Sequence, residues 1–180
     1  MGVSVSPAGV VIGVAIPIPD PWGQELRDCR KRFGDPLAQS IPPHVTLLPP
    51  TTVDDSVVDE AHDHLSRVAA RQPAFDIHLR GTGSFLPVSP VVFLTLAGGI
   101  SDCENLERGV RSGPLERELQ FPYHPHVTVA HDLPEESLTK AFDELVTYEA
   151  RFSVTAFHLY EHGADGVWRP RWEFALAAKG

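Results

Sequence analysis

Cysteine is nearly absent: Cys29 and Cys103 are the only two in 180 residues. Two thiols outside any Cys-x-x-Cys pair do not make a disulfide framework, so they read as free, reduced thiols of a cytosolic protein. Positive charge is also scarce, since 15 Lys and Arg against 24 Asp and Glu leave a formal charge of −9. Binders that track many phosphates depend on broad basic surfaces and counterion release, so a long nucleic-acid groove is excluded. A small pocket gathering a few cationic groups around one phosphate is not. Apolar runs are short. The opening Met-Gly-Val-Ser-Val-Ser-Pro-Ala-Gly-Val-Val-Ile has no basic residues ahead of its apolar stretch and is too short to cross a bilayer. It reads as a buried strand, and its fit to the Met-Gly-x-x-x-Ser myristoylation pattern is too loose to imply an anchor.

Turn formers are plentiful, with 17 Pro and 14 Gly. They cut the chain into short elements. A Val- and Ile-rich strand (9–19) is followed by Asp20-Pro21, a helix start, and by a helix over about 22–33 that stops at Gly34. A second strand contains His44-Val45-Thr46-Leu47. The next helix carries acidic residues first and Arg67 and Arg71 last, with Val57, Ala61, Leu65 and Val68 as its apolar stripe. In it, His62 and His64 diverge around the helix and read as surface residues. Strands follow at 75–84 and 91–98.

The order then restarts. Val10 and Val91 are 81 residues apart, His44 and His126 are 82 apart, and Asp54 and Glu135 are 81 apart. The second round has a helix from about 102 to 111, with a possible resumption at 114–120, then His126-Val127-Thr128-Val129. A helix over about 134–148, a strand-like stretch from Arg151 to His162, and a closing strand through Trp168 complete it. A repeat of half the chain predicts an α+β fold of two similar lobes related by a pseudo-twofold axis. Each lobe is a small, mainly antiparallel sheet with helices on its outer face, and a cleft lies between them. Residues 1–180 form one such two-lobed domain, its lobes built around 44–47 and 126–129. The last strand of each half is expected to cross between lobes.

Side chains alternate along a strand, so His44 and Thr46 share one face while Val45 and Leu47 share the other; the same holds for His126 and Thr128 against Val127 and Val129. If the lobes face each other, two imidazoles and two hydroxyls converge. That set suits phosphoryl transfer without a metal. One neutral imidazole takes a proton from the attacking oxygen, the other gives one to the leaving oxygen, and the hydroxyls hold the non-bridging oxygens. Pro42, Pro43, Pro49, Pro50, Pro122 and Pro125 stiffen the approaches.

The paired motifs His44-Val45-Thr46-Leu47 and His126-Val127-Thr128-Val129 resemble those of the two-histidine phosphoesterase superfamily, in its 2′-5′ RNA ligase-like and RNA 2′,3′-cyclic phosphodiesterase branch. The resemblance spans nearly the whole chain. It implies His44 and His126 as the acid–base pair and Thr46 and Thr128 as phosphate ligands. The implied reaction is opening of a 2′,3′-cyclic phosphate, or a related cyclic phosphodiester, with 2′-5′ RNA ligation as its reverse. No cofactor and no metal are implied. The partner would be a small cyclic nucleotide or an RNA end bearing the cyclic phosphate, handled by a monomer away from membranes.

One departure stands out. RNA-processing members carry an arginine shortly after the second motif, where this chain has His131, shorter and pH-dependent in its attraction for phosphate. With the acidic total charge, this favours a small nucleotide over polymeric RNA. Arg169 and Arg171 are candidates to supply the missing cation, and Tyr123, Phe85 and Trp168 to stack a base. Two other classes fit some of the residues. His124, His126 and His131 would suit a zinc hydrolase if Pro125 allowed regular extension. A non-catalytic nucleotide- or RNA-binding module would use the same fold and residues.

Overall fold

A computed structural model describes residues 9–180; the Met-Gly start and its acylation pattern lie outside the described residues. The chain runs β1 (Val10–Pro17), α1 (Trp22–Arg32), β2 (His44–Val53), α2 (Asp55–Arg71), β3 (Phe75–Ser84), β4 (Val91–Gly98) and α3 (Ile100–Val110). It continues through β5 (His126–His131), α4 (Glu135–Glu144), β6 (Glu149–Val154), β7 (Ala156–His162) and β8 (Trp168–Ala175). The α+β class follows directly.

All eight strands join one sheet in the order β6-β3-β4-β5-β2-β1-β7-β8, every neighbouring pair antiparallel. Its centre is a seam where β2 and β5 pair through a single residue couple, Val45 with Val127. β3, from the first half of the sequence, lies between β4 and β6. β7, from the second half, lies against β1. β3 from the first half, and β7 with β8 from the second, have therefore changed sides, as the repeat led one to expect of the last strands, while β6 stays on the side of β4 and β5.

One face of the sheet is dry. Along β6 and the start of β3, buried and exposed residues alternate, putting Phe75, Ile77, Leu79, Ala150, Phe152 and Val154 on the covered side. The helices supply the cover: α2 packs on β8, α3 on β2, α4 on β3, β4 and β5, and α1 on β5. Thus α1 and α3 each reach the motif strand of the opposite half and support the seam from below. Val45 and Val127 are fully buried there, each worth roughly 1.5–3 kcal/mol relative to exposure.

Local boundaries differ from the sequence reading in a few places. α3 does not resume; a single 3-10 turn at Gly113–Leu115 is followed by extended chain, because Pro122 and Pro125 lack the amide donors a helix needs. The stretch read as one strand from Arg151 breaks at Thr155 into β6 and β7. In α2 the buried residues are Val58, Ala61, His64, Leu65 and Ala69, so Ala61 and Leu65 stand as read; Val68 packs against the core from a half-buried position, and Val57 is half-buried beside the buried Val58. His64 is a correction: it is buried, and its Nε2 bonds the carbonyls of Gly109 (3.0 Å) and Val110 (3.3 Å) at the end of α3. A ring that satisfies orphan helix carbonyls belongs inside, not on the surface.

Candidate active site

The seam decides the geometry. With Val45 opposite Val127 in antiparallel strands, His44 lies across from Thr128 and Thr46 across from His126. Because each flanks a core-facing valine, all four side chains project from the open face of the sheet. Directly opposed residues are separated by roughly 4.5–5.5 Å and diagonal ones by about 7–8 Å. The two imidazoles are the diagonal pair.

Both strands carry the same burial signature, with half-buried His and Thr, a buried Val between them, and two buried apolar residues after. The register explains the doubled burial. Ala15 pairs with Thr46 and Val14 with Leu48, leaving Leu47 as an extra residue; Phe93 pairs with Thr128 and Val92 with Ala130, leaving Val129 extra. A β-bulge follows each His-Val-Thr at the same place. Bulges bend a strand and re-aim its side chains, and here they drive Leu47 with Leu48, and Val129 with Ala130, into the core.

Each imidazole is fixed in the same way. His44 Nδ1 lies 2.6 Å from the carbonyl oxygen of Pro42, and His126 Nδ1 lies 2.7 Å from that of His124. The acceptor is two residues upstream in both, and a proline, Pro43 or Pro125, intervenes. A residue before proline is confined to extended backbone, which sets the direction of its carbonyl. With Nδ1 donating to that oxygen, Nε2 is the nitrogen left free for substrate.

The surroundings differ. His44 packs against Trp168, ring centroids 4.7 Å apart, and Trp168 also touches His162 at 4.2 Å. The amide of Trp168 donates to Ser40 O at 2.9 Å, closing the loop ahead of β2 over this end of the sheet. His126 stands edge-on to Phe85 at 5.0 Å and near Phe93 at 5.2 Å, with His124 5.9 Å away. Burial pushes His44 down to about 4, with the Arg30 cation and His126 adding to the effect against the Pro42 bond. Burial also lowers His126, and His124 adds to that. Burial therefore disfavours the charged form of both rings.

Of the residues singled out in the sequence, the fold brings together His44, Thr46, His126 and Thr128, with Phe85 and Trp168 against the two rings. Tyr123 is turned away from a stacking role: it packs on the core and its hydroxyl donates to Thr46 O at 2.7 Å. The arginines are engaged elsewhere. Arg169 forks onto Asp165 at the β7–β8 turn (3.0 and 2.6 Å), holding that carboxyl at about 2. Arg171 pairs with Glu161 and lies 4.4 Å over the Trp172 ring. His131 is 58% exposed at the end of β5, its Nε2 3.1 Å from Asp132. Among the described residues, no three His, Cys, Asp or Glu side chains gather as a metal site would require.

The sequence did not single out Arg30. Buried in the last turn of α1, it bonds Asp35 (2.8 Å), Ile41 O (2.5 Å) and Leu37 O (3.4 Å), pinning the loop that delivers the Pro42 carbonyl. Its only signal was position, in a basic helix end just before the first motif. The pairing of proline with each motif histidine, Pro43-His44 and Pro125-His126, was legible and marks both upstream carbonyls.

Comparison with known proteins gives a consistent picture. The family described as the 2′-5′ RNA ligase superfamily matches residues 18–166. A protein of Geobacillus kaustophilus bearing the name "Putative phosphoesterase" is 29% identical over 152 residues, covering 83% of this chain and 87% of that one. A Bacillus thuringiensis protein of the same name is 26% identical over 149 residues, with 82% and 86% coverage. Among solved structures, Escherichia coli LigT with 3′-AMP superposes with a TM-score of 0.67 at 24% identity, covering 93% of this chain and 98% of that one. LigT has also been solved with phosphate, with ATP and with NADP+. TT0787 of Thermus thermophilus gives a TM-score of 0.60 at 20% identity over 94% of this chain and 100% of that one. These structures share the fold.

Proposed function

The chain belongs to the 2′-5′ RNA ligase superfamily, and from that premise we propose that it is a metal-independent phosphodiesterase opening a 2′,3′-cyclic phosphate or related cyclic phosphodiester. The observation that carries the reading is the seam: two imidazoles, each with Nδ1 tied to an upstream carbonyl, flank one space with a threonine hydroxyl opposite each. The phosphate sits over the Val45–Val127 couple with its non-bridging oxygens on the Thr46 and Thr128 hydroxyls. Water attacks phosphorus as one Nε2 takes its proton. The bond to one ribose oxygen breaks, and the second imidazole, protonated beforehand at Nε2, gives that oxygen a proton. The product is a phosphomonoester. Ligation would follow the same path with the 5′-hydroxyl of a second strand in place of water: it attacks phosphorus, the bond to the 3′-oxygen breaks and that oxygen takes the proton, leaving a 2′-5′ phosphodiester.

The ligand is proposed to be small. The two candidate arginines, Arg169 and Arg171, are already paired with Asp165 and Glu161, and His131 stands where RNA-processing members carry an arginine, which supports a ligand smaller than a polymer. That LigT has been solved with 3′-AMP and with ATP supports a ligand of nucleotide size. Phe85 beside His126, and Trp168 beside His44, are the proposed walls for its base. We place the protein in the cytoplasm as a monomer; no helix among the described residues is long and apolar enough to cross a membrane.

The test is a panel of 2′,3′-cyclic mononucleotides, cyclic-ended oligonucleotides and ADP-ribose 1″,2″-cyclic phosphate, run with the wild type and with a His44→Ala, His126→Ala double variant. Turnover of a mononucleotide by the wild type alone is the expected result. Equal rates for both proteins, or no turnover of any member, would overturn the reading.

A further inference from the structure

We propose that Tyr123 is a positioning residue: its hydroxyl clamps the two halves of the sheet at the seam and thereby sets the spacing between His44 and His126. The inference rests on the reaction proposed above.

The seam is the sparsest junction in the sheet, one residue couple against four to seven at every other strand pair. Yet a phosphoryl group must be gripped from both of its sides. Tyr123 crosses that junction. It precedes His124, the residue whose carbonyl orients the His126 ring. Its own hydroxyl donates to the carbonyl of Thr46, 2.7 Å away, on the strand that carries His44. One phenol thus joins the peptide that aims one imidazole to the strand that bears the other.

The position equivalent to Tyr123 in the first half is Ile41, also three residues before its histidine. It too is anchored, its carbonyl accepting from Arg30 at 2.5 Å. That anchor stays within the first half, between α1 and the loop leading to β2. Both rails of the site are therefore held at the same point, but only the second is held to the opposite strand. Tyr123 packs against the core, and burial raises its phenol far above the ordinary value, so it remains a donor at any pH the protein tolerates.

The experiment compares wild type, Tyr123→Phe and Tyr123→Leu, all checked for folding by circular dichroism. Kinetics are measured on a 2′,3′-cyclic mononucleotide across pH, and imidazole nitrogen and proton resonances are recorded by NMR without substrate. The clamp predicts that Tyr123→Phe loses roughly ten- to hundredfold in kcat, the scale of a small misplacement of reacting groups, with KM within about twofold. It also predicts that the limb of the pH profile due to His126 moves while that due to His44 stays, and that Tyr123→Leu is impaired to a similar extent. A merely space-filling ring predicts Phe equal to wild type and Leu impaired; that result overturns the clamp, as does a raised KM with unchanged kcat. If the wild type turns over no cyclic phosphate, the proposed reaction has failed, and the clamp is judged by NMR alone. His126 resonances displaced in Tyr123→Phe sustain it; unmoved resonances sink it.

Discussion

The Nδ1 atom of His44 lies 2.6 Å from the carbonyl oxygen of Pro42, and burial pushes this ring down to about 4. His126 repeats the contact with His124, and burial lowers it as well. Acid–base work by the pair needs one ring neutral and one charged, and burial disfavours the charged form of both, so the free protein is poised for it below the ordinary histidine value. The pH profile of kcat/KM should be a bell with its maximum below about pH 6.5, the ordinary value for histidine. A maximum above pH 8, or a flat profile, would contradict the paired-imidazole assignment.

The same burial has a consequence for stability. A histidine whose folded value is depressed favours the folded state while both states are neutral, above about pH 6.5. As pH falls from there toward the folded value near 4, the unfolded chain takes up a proton that the folded one refuses. Stability on the order of 3 kcal/mol is lost across that window. Urea unfolding at pH 7 and pH 4.5 should therefore show a smaller loss for His44→Gln than for the wild type.

Under the proposed reaction, removal of either imidazole should be severe. His44→Ala and His126→Ala are each expected to cut turnover by roughly 10²–10⁴-fold with folding intact. Thr46→Val and Thr128→Val remove one hydrogen bond to a charged group, worth about 1.5–3 kcal/mol. Each should weaken inhibition by inorganic phosphate roughly ten- to hundredfold, measured by competition.

Arg30 and Asp35 form a nearly buried ion pair, their side chains 7% and 11% exposed. Breaking such a pair from one side leaves a carboxylate without its partner and costs about 3–5 kcal/mol. Arg30→Met should lower the urea midpoint accordingly. It should also reduce kcat, because the loop carrying the Pro42 carbonyl loses its anchor.

His64 offers a contrast. Its ring closes the end of α3 through the carbonyls of Gly109 and Val110, on the helical side of the sheet and away from the seam. His64→Leu should cost about 1–3 kcal/mol through unsatisfied carbonyls while kcat and KM stay at wild-type values.

Much of this was legible in advance. The near-constant offset between halves made β1 the counterpart of β4, and β2 the counterpart of β5, before any coordinate. Strand alternation then put His44, Thr46, His126 and Thr128 opposite Val45 and Val127. What escaped the sequence were interactions set by long-range packing. Arg30 looked like an ordinary charge at a helix end, since nothing local says that the loop at 35–41 will fold over it. The stripe of α2 was read with Ala61 and Leu65 in place but without His64, which was counted as polar although it is the residue that meets the end of α3. Tyr123 was read as an open aromatic because its partner, a backbone carbonyl 77 residues away, has no sequence signature. The bulges after Thr46 and Thr128 were equally invisible, being a property of register between strands rather than of either strand alone.

The exchange of β3 for β7 and β8 makes the two halves of the gene product mutually dependent. A cut in the β3–β4 turn, near Ser89, would yield fragments that each lack the edge on which the other's strands are laid. Neither piece owns a complete sheet, so neither should be an autonomous folding unit. Mixed together, they should reassemble by complementation and regain the junction at Val45 and Val127.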